Sequence, residues 1–251
     1  MPAERRGWWR TYFDDAYFHL HDPLFGEAAS RAEVAGMREL LGLPWDARVL
    51  DAPCGWGRHT RLLAEAGSRA FGADLSLPLL RRARGPGRVA GPTFTAADVR
   101  ALPFASGVFD AVLNVFTSLG LFLDDVADRA VLSEARRVLR PGGSFLLESM
   151  HRDDVVAAYA ERDEWTLPDG TLVRVRRRFD PVAGVSHETL HWQRGPARGR
   201  KQHSLRLRTA TEIAGLLTAA GFTDIAYFGD WQGHPFRHDS SHLIAVARSS
   251  A

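Results

Sequence analysis

The chain has 251 residues, of which 45% are hydrophobic and 25% are charged, as in a soluble globular protein with a substantial core. Its 32 Lys and Arg nearly balance 30 Asp and Glu, leaving a net charge of +2, so overall charge indicates no class of partner. The single cysteine, Cys54, excludes an intrachain disulfide framework. No apolar run approaches the roughly 20 residues of a membrane span, and residues 1–10 lack the apolar core of a signal peptide. These features predict a cytoplasmic protein that does not enter a membrane.

Aromatic side chains crowd residues 8–25. Trp9, Phe13 and Tyr17 lie four residues apart, so a short helix would collect their rings on one broad face. This pattern predicts a segment that caps the core of the domain. It is equally consistent with a lid over a ligand pocket, in which Tyr12 and Tyr17 present hydroxyl groups while their rings exclude water.

Helical and strand-like patterns alternate over the next part of the chain. Helices are predicted at residues 27–43, between Gly57 and Gly67, at residues 76–84 and at residues 124–139. Strands are predicted at residues 48–51, 69–73, 93–97, 108–115 and 144–150. The Gly-Pro-Gly at 85–87 and the Pro-Gly-Gly at 141–143 are strong stop signals. This alternation predicts a parallel sheet with right-handed crossovers.

The pattern changes after His151. A helix at residues 153–160 precedes three strand-like runs with turn signals between them, at residues 172–179, 185–193 and 201–208. These runs predict an antiparallel β meander. A final helix at residues 211–220 leads to two strands at residues 222–228 and 242–247.

A loop with two glycines, Gly55 and Gly57, directly follows the first predicted strand. Glycines at this place let the backbone approach a ligand closely, and the next helix offers free N–H groups at its N-terminus. Hydride-transfer enzymes, kinases and methyl-transfer enzymes all use such loops. Here Thr60 replaces the third glycine of a dinucleotide-binding G-x-G-x-x-G, so the close packing used for a pyrophosphate is missing.

Acidic residues end three successive predicted strands, at Asp51, Asp74 and Asp98. Asp74 is well placed to accept the hydroxyls of a ribose, and Asp98 the exocyclic amine of an adenine. Acids at all three positions suit a ligand with ammonium, ribose and adenine groups better than one with phosphates. The sequence therefore favours an adenosine-bearing ligand with a free ammonium group.

Five ordered motifs, VLDAPCGWG, GADLS, AADVRALPF, GVFDAVLNVF and RVLRPGGSFLLE, resemble those of class I S-adenosylmethionine-dependent methyltransferases. The resemblance covers residues 45–150. It implies a Rossmann-like α/β fold, with a seven-stranded sheet whose last strand is antiparallel and a small antiparallel β insert between strand 5 and the last helix. The insert and the aromatic N-terminus are similar to small-molecule N-methyltransferases that act on amino sugars and glycine.

The resemblance also implies a domain organisation. Residues 1–26 form an aromatic lid segment, residues 27–151 and 209–251 form the S-adenosylmethionine-binding domain, and residues 152–208 form an inserted helix and meander. The cofactor-binding residues implied are Asp51, Ala52, Cys54, Gly55, Gly57, Asp74, Leu75, Asp98, Val99 and Asn114. Pro53 stands where the family carries a glycine, so Gly55 and Gly57 must supply the close approach to the methionine part.

The activity implied is in-line transfer of the methyl group to a nitrogen or oxygen of a small molecule, leaving S-adenosylhomocysteine. His151 and Tyr17 are the candidate catalytic residues, although a hydrogen-bonded loop histidine is the simpler interpretation of His151. The candidate substrate contacts are Tyr12, Tyr17, Phe116 and Ser118. His19 and His21 lie two apart with no third ligand evident, so no metal site is predicted.

The predicted meander is rich in arginine. These side chains either protect exposed sheet edges from pairing, or attract an acidic substrate, a phosphorylated metabolite or RNA. Few aromatics accompany them, which weakens the case for RNA. The meander is also a candidate surface for homo-oligomerisation. Two alternatives to a small-molecule enzyme therefore stay open: an RNA methyltransferase that docks through the meander, and a binding module without catalysis.

Overall fold

The computed structural model describes residues 7–85 and 91–250. The predicted N-terminal helix consists of two short helices, α1 (Trp9–Tyr12) and α2 (Asp15–His21), followed by a 3₁₀ turn at Asp22–Leu24. The aromatic lid segment, residues 7–25, is the name used below for this part. Residues 1–6 of the predicted lid lie outside the described residues, as do residues 86 and 87 of the predicted Gly-Pro-Gly stop.

Helices and strands then alternate as the sequence pattern predicts. The helices are α3 (Glu27–Leu41), α4 (Arg58–Glu65), α5 (Leu77–Arg84), α6 (Asp125–Val138), α7 (Arg152–Ala157) and α8 (Ala210–Ala219). The strands of the main sheet are β1 (Arg48–Asp51), β2 (Arg69–Asp74), β3 (Thr93–Ala96), β4 (Phe109–Asn114), β5 (Leu139–Ser149), β10 (Phe222–Phe228) and β11 (Leu243–Ser249). Side-chain caps fix several helix starts, including Ser76 on α5 and a Thr209–Glu212 capping box on α8.

The seven strands lie in the order β10-β11-β5-β4-β1-β2-β3. Neighbours from β5 to β3 pair in parallel, whereas β11 is antiparallel to both β5 and β10. The predicted sheet with an antiparallel last strand is therefore confirmed. The strand order reverses between β1 and β4, and in open α/β sheets ligands bind outside the carboxyl ends of the strands at such a point.

Two apolar clusters, one on each face of the sheet, form the core. One collects Phe109, Phe145, Leu132 and Leu217, and the other Val49, Met37 and Leu146. Central strands β1 and β4 supply residues to both clusters, which explains their nearly continuous apolar sequence. No helix among the described residues is long and apolar enough to cross a bilayer.

The inserted region forms a separate four-stranded antiparallel sheet in the order β6-β7-β8-β9. Its strands are β6 (Arg162–Thr166), β7 (Leu172–Asp180), β8 (Val185–Arg194) and β9 (Ala197–Arg206). The sequence analysis predicted three of these strands and missed β6. The sequence of β6, RDEWT, is mostly charged and alternates only weakly, and its pairing with β7 gives it the strand conformation.

A buried ion pair joins the two sheets. Arg208, just beyond β9, donates to Asp128 on α6 and, at 2.8 Å, to Asp125. Asp128 is fully buried and also accepts the Gly120 N–H at 3.2 Å. These contacts of Arg208 and Asp128, called the Arg208 joint below, fix the loop between β4 and α6 against the end of the second sheet.

Asp128→Ala should lower the free energy of unfolding by about 3 kcal/mol, because it leaves the Arg208 charge buried without its main partner. Urea denaturation measures the change. The matched control is Asp46→Ala, which removes a partner 3.8 Å from the exposed Arg69 guanidinium and should cost less than about 1 kcal/mol. Equal losses in the two variants would contradict the proposed role of the joint.

Candidate active site

The glycine loop between β1 and α4 is held against β2 by backbone hydrogen bonds. Cys54 N–H donates to Ala73 O at 2.9 Å, and Gly57 N–H to Cys54 O at 2.9 Å. Gly57 has φ +73°, and a Cβ there would lie 2.7 Å from the Phe94 ring. Gly55 has φ +55° with no atom within 4 Å of the place its Cβ would take. The loop thus needs glycine at 57 for packing and keeps open space at 55.

Asp51 and Asn114 end neighbouring strands with a polar atom unsatisfied on each. Asp51 Oδ2 accepts the Thr60 hydroxyl at 2.6 Å, and the Asn114 amide donates to Ala52 O at 2.9 Å. Asp51 Oδ1 and Asn114 Oδ1 are buried and have no hydrogen-bond partner within residues 7–85 and 91–250. Burial raises the pKa of Asp51. Two buried acceptors at adjacent strand ends form a place for a ligand with N–H donors.

Asp74 ends β2 beneath the aromatic lid segment. Its two carboxylate oxygens accept the Gly55 N–H at 2.8 Å and the Ser76 N–H at 2.7 Å. Burial nevertheless raises its pKa to about 6. Each oxygen keeps a lone pair for a further donor, so the carboxylate is fixed in place and still able to accept two hydroxyl groups.

Asp98 and Arg100 form an ion pair at the end of β3. The guanidinium donates to Oδ1 at 2.9 Å and to Oδ2 at 2.6 Å, which lowers the pKa of Asp98. Arg100 also lies 4.3 Å from the centre of the Phe122 ring. Both oxygens of Asp98 thus already accept hydrogen bonds, whereas the exposed Leu75 and half-buried Val99 remain free to contact a flat ring.

The loop after β4 has an unusual backbone conformation. Phe116 and Thr117 have φ of 62° and 53°, a left-handed region that costs a non-glycine residue free energy. Glu148 at the end of β5 stabilises it by accepting the Phe116 N–H at 2.6 Å. The Phe116 ring is 47% exposed and meets Phe25 edge to face at 4.8 Å. The loop therefore presents an aromatic ring at the crevice.

The aromatic lid segment covers this crevice. Tyr12 and Tyr17 are buried in one cluster with Trp56 of the glycine loop. Burial, and after it the negative charge of Asp74, raise the pKa of Tyr17. The Ser76 hydroxyl donates to Phe13 O. The segment is thus anchored to the end of β2 and packs against the glycine loop.

The other side of the lid is bound to the second sheet. Lys201 Nζ on β9 lies 2.7 Å from Asp14 Oδ1 and donates to Tyr12 O at 2.6 Å. The Tyr12 hydroxyl lies 3.0 Å from His203 Nδ1. Burial lowers the pKa of His203, so its ring is neutral at pH 7. The lid therefore bridges the glycine loop and the β insert.

His151 and Ser118 are engaged in local hydrogen bonds. His151 Nε2 lies 2.9 Å from Ser240 O, and its Nδ1 accepts the Asp154 N–H at 3.3 Å as the cap of α7. Both ring nitrogens of His151 are thus engaged in local contacts. The Ser118 hydroxyl donates to Val115 O at 2.8 Å.

The sequence analysis did not single out Glu148 and His242. His242, just before β11, places Nδ1 3.0 Å from Glu148 Oε1, and this contact raises the pKa of His242. Glu148 is a further acid at a strand end, so the pattern that identified Asp51 and Asp74 also applies to it. His242 has no such sequence signal, because only the antiparallel pairing of β11 brings it to this edge.

Residues 49–143 match the family model described as "Methyltransferase domain". The malonyl-[acyl-carrier protein] O-methyltransferase of Salmonella typhimurium is 36% identical over 65% of this chain and 59% of its own length. The ubiquinone/menaquinone biosynthesis C-methyltransferase UbiE of Acidiphilium cryptum is 30% identical over 71% of this chain and 67% of its own. The chain thus spans less than two thirds of the length of the Salmonella relative.

Two solved structures share the fold. The CcbJ methyltransferase from Streptomyces caelestis has a TM-score of 0.80 at 19% identity, covering 96% of this chain and 99% of its own. CalS10, an amino pentose methyltransferase from Micromonospora echinaspora, has a TM-score of 0.73 at 23% identity, covering 94% and 97%. These two likenesses show the fold alone. The relation to the Acidiphilium protein, together with the matching domain model, shows that the chain belongs to the class I S-adenosylmethionine-dependent methyltransferases.

Proposed function

We propose that this protein transfers a methyl group from S-adenosylmethionine to a nitrogen or oxygen atom of a small molecule. One observation carries the proposal: two unsatisfied buried acceptors, Asp51 Oδ1 and Asn114 Oδ1, end β1 and β4 at the same sheet edge where the backbone-anchored carboxylate of Asp74 ends β2. These groups fit the ammonium and ribose hydroxyls of that cofactor. When bound, S-adenosylmethionine supplies an electrophilic methyl group on a good leaving group.

In this proposal the chain contributes binding, orientation and exclusion of water. Asp51 and Asn114 accept the ammonium, Asp74 accepts the ribose hydroxyls, and Leu75 with Val99 flank the adenine. The Arg100 guanidinium already donates to both carboxylate oxygens of Asp98. The adenine amine must therefore either share these oxygens with Arg100 or displace the guanidinium. Ala52, Cys54, Gly55 and Gly57 form the loop wall of the site.

The acceptor side of the site is the crevice between the lid and the loop after β4. Tyr12, Tyr17 and Phe116 supply its aromatic wall, with Ser118 at its base. A covered crevice supports a small acceptor over an RNA strand. CalS10 is an amino pentose methyltransferase, which supports an amine as the acceptor group, whereas the Salmonella relative is an O-methyltransferase, which supports an oxygen.

A proton acceptor is needed only if the methyl acceptor carries a proton at the working pH. Both nitrogens of His151 are already engaged. His242 is held by a carboxylate, the arrangement that orients catalytic histidines. We therefore place His242, rather than His151, in the role of proton acceptor, with Tyr17 as an orienting group.

The function is tested by incubating the purified protein with methyl-labelled S-adenosylmethionine and two matched sets of compounds, amino sugars and the corresponding hydroxy sugars. We expect label in at least one amine or hydroxyl product, and loss of at least about tenfold in rate with Asp74→Asn, since cofactor orientation is impaired. Binding of S-adenosylhomocysteine with no transfer to either set would favour a binding module, and transfer to RNA alone would favour the nucleic-acid alternative.

Affinity for S-adenosylhomocysteine should fall as the pH drops through about 6. The pKa of Asp74 is raised to about 6, so its carboxylate is ionised above that pH and becomes protonated below it. If only the ionised form accepts both ribose hydroxyls well, Kd rises about tenfold at pH 5. Calorimetry across pH 5–8 measures this. Asp74→Asn should bind weakly at every pH, and an unchanged pH dependence in that variant would assign the effect to another group.

Asp51→Asn should lower the affinity for S-adenosylhomocysteine but not for 5′-methylthioadenosine, which lacks the amino-acid portion. A hydrogen bond to a charged group contributes about 1.5–3 kcal/mol, so a loss of roughly tenfold or more is expected for the first ligand. Calorimetry with both ligands separates loss of the ammonium contact from general damage to the loop. Equal losses would contradict the assignment.

A further inference from the structure

The outward face of the second sheet carries a dense set of arginines. The basic face is defined by six exposed side chains, Arg162, Arg174, Arg176, Arg178, Arg198 and Arg200. Strand alternation places them on the side opposite Val173, Val175 and Leu190, which are buried toward the lid. Among the described strands, the acids that share this face are Glu164 and, at the far end of β7, Asp180. Since the whole chain has a net charge of only +2, its excess positive charge is concentrated here.

Protection of sheet edges explains only part of this arrangement. Arg162, Arg198 and Arg200 lie on the edge strands β6 and β9. Arg174 and Arg176, however, lie on β7 at positions that are paired with both β6 and β8. Arg162 stands directly opposite Arg176 in the register, and like charges facing one another across strands destabilise a sheet. The face therefore keeps a repulsive pair where a neutral residue would be more stable.

On the opposite face of the same sheet, the cationic side chains are paired with carboxylates. Arg177 pairs with Glu188 at 2.7 Å, and Lys201 with Asp14 at 2.7 Å. On the basic face, Arg174 pairs with Glu164, but Arg176 and Arg200 have no carboxylate partner in the described part of the chain. The guanidinium groups of Arg176 and Arg200 are thus available to a partner, and together with Arg174 and Arg198 they line a groove of about 590 Å³ along β7, β8 and β9.

We propose that the basic face is a docking surface for an acidic helix of a partner protein. Alternate residues on β7, such as Arg174 and Arg176, are about 6.8 Å apart along the strand, close to the roughly 5–6 Å between the Cβ atoms of residues i and i+4 of a helix. Guanidinium groups bind carboxylates through two parallel hydrogen bonds. A helix lying along β7 would therefore meet Arg174 and Arg176 with one acidic stripe. The proposal stands independently of the methyl acceptor.

Other occupants fit less well. A single-stranded nucleic acid stacks its bases on exposed aromatic rings. Trp192 contributes to the lining of the groove, but its ring packs against the apolar cluster on the other face. A lipid surface needs apolar anchors, and the exposed large apolar residues of the described chain lie elsewhere. A second copy through this face would oppose the same six arginines, which like-charge repulsion disfavours.

The test uses a fluorescent helical peptide whose glutamates fall on one stripe, a peptide of identical composition with the glutamates spread around the helix, and a single-stranded RNA of equal charge. Anisotropy at low salt should show saturable binding, tightest for the striped peptide. The triple variant Arg174→Gln, Arg176→Gln, Arg200→Gln should weaken it about tenfold, because it removes three exposed ion pairs that each contribute a small amount. The control Arg69→Gln, Arg129→Gln, Arg237→Gln, with the same charge change elsewhere, should bind as the wild type does.

Circular dichroism and S-adenosylhomocysteine binding verify that both triple variants remain folded. Equal weakening in the two variants would overturn the proposal, because net charge alone would then explain the affinity. Equal binding of the two peptides would overturn the proposal that the face recognises an acidic helix, because the position of the glutamates on the helix would then not matter. Tighter binding of the RNA, with loss in the face variant only, would replace it by a nucleic-acid surface.

Discussion

The burial of the Asp74 carboxylate is the constraint on which the site depends. A buried carboxylate is costly unless donors satisfy it, and here the donors are backbone N–H groups of the glycine loop and of the start of α5. The left-handed φ of Gly55 orients the first of these groups. Ser76 supplies the second and, through its hydroxyl, also holds Phe13 of the lid. One carboxylate thus fixes the loop, the helix start and the cover of the crevice together.

The aromatic lid segment, which is held by Ser76, also contacts the second sheet. Tyr12 and Asp14 contact His203 and Lys201 on β9, almost 190 residues further along the chain. The Arg208 joint holds the same sheet to α6 and to the loop that carries Phe116. The cofactor end and the acceptor end of the crevice are therefore connected through the insert as well as through the main sheet. A change in the packing of β9 should therefore alter both the cofactor end and the acceptor end of the crevice.

Local patterns predicted the main sheet because each strand is apolar enough to be recognised and each glycine or acid stands beside its strand. The resemblance to the methyltransferases then implied a seven-stranded sheet with an antiparallel last strand. Contacts between distant segments could not be predicted in this way: the Tyr12–His203 pair, the approach of His242 to Glu148, and the satisfied nitrogens of His151 all depend on pairings across the fold. The Asp98–Arg100 pair is only two residues apart, yet either side chain was free to turn elsewhere. The sequence showed Thr60 only as the replacement for a third glycine. Its hydrogen bond to Asp51 could not be predicted, because that bond depends on how the first turn of α4 orients the Thr60 side chain.

The two faces of the second sheet carry different side chains, because successive residues of a strand point to opposite faces. On β8, Glu188 faces the lid cluster while its neighbours His187 and Thr189 face outward. A shift of the pairing by one residue would exchange the two faces completely. The tight turn at Gly195, with φ of 56°, fixes the register of β8 against β9, because its positive φ suits the twist of a two-residue hairpin. The same turn therefore keeps the basic face outward and keeps His203 and Lys201 beneath the lid.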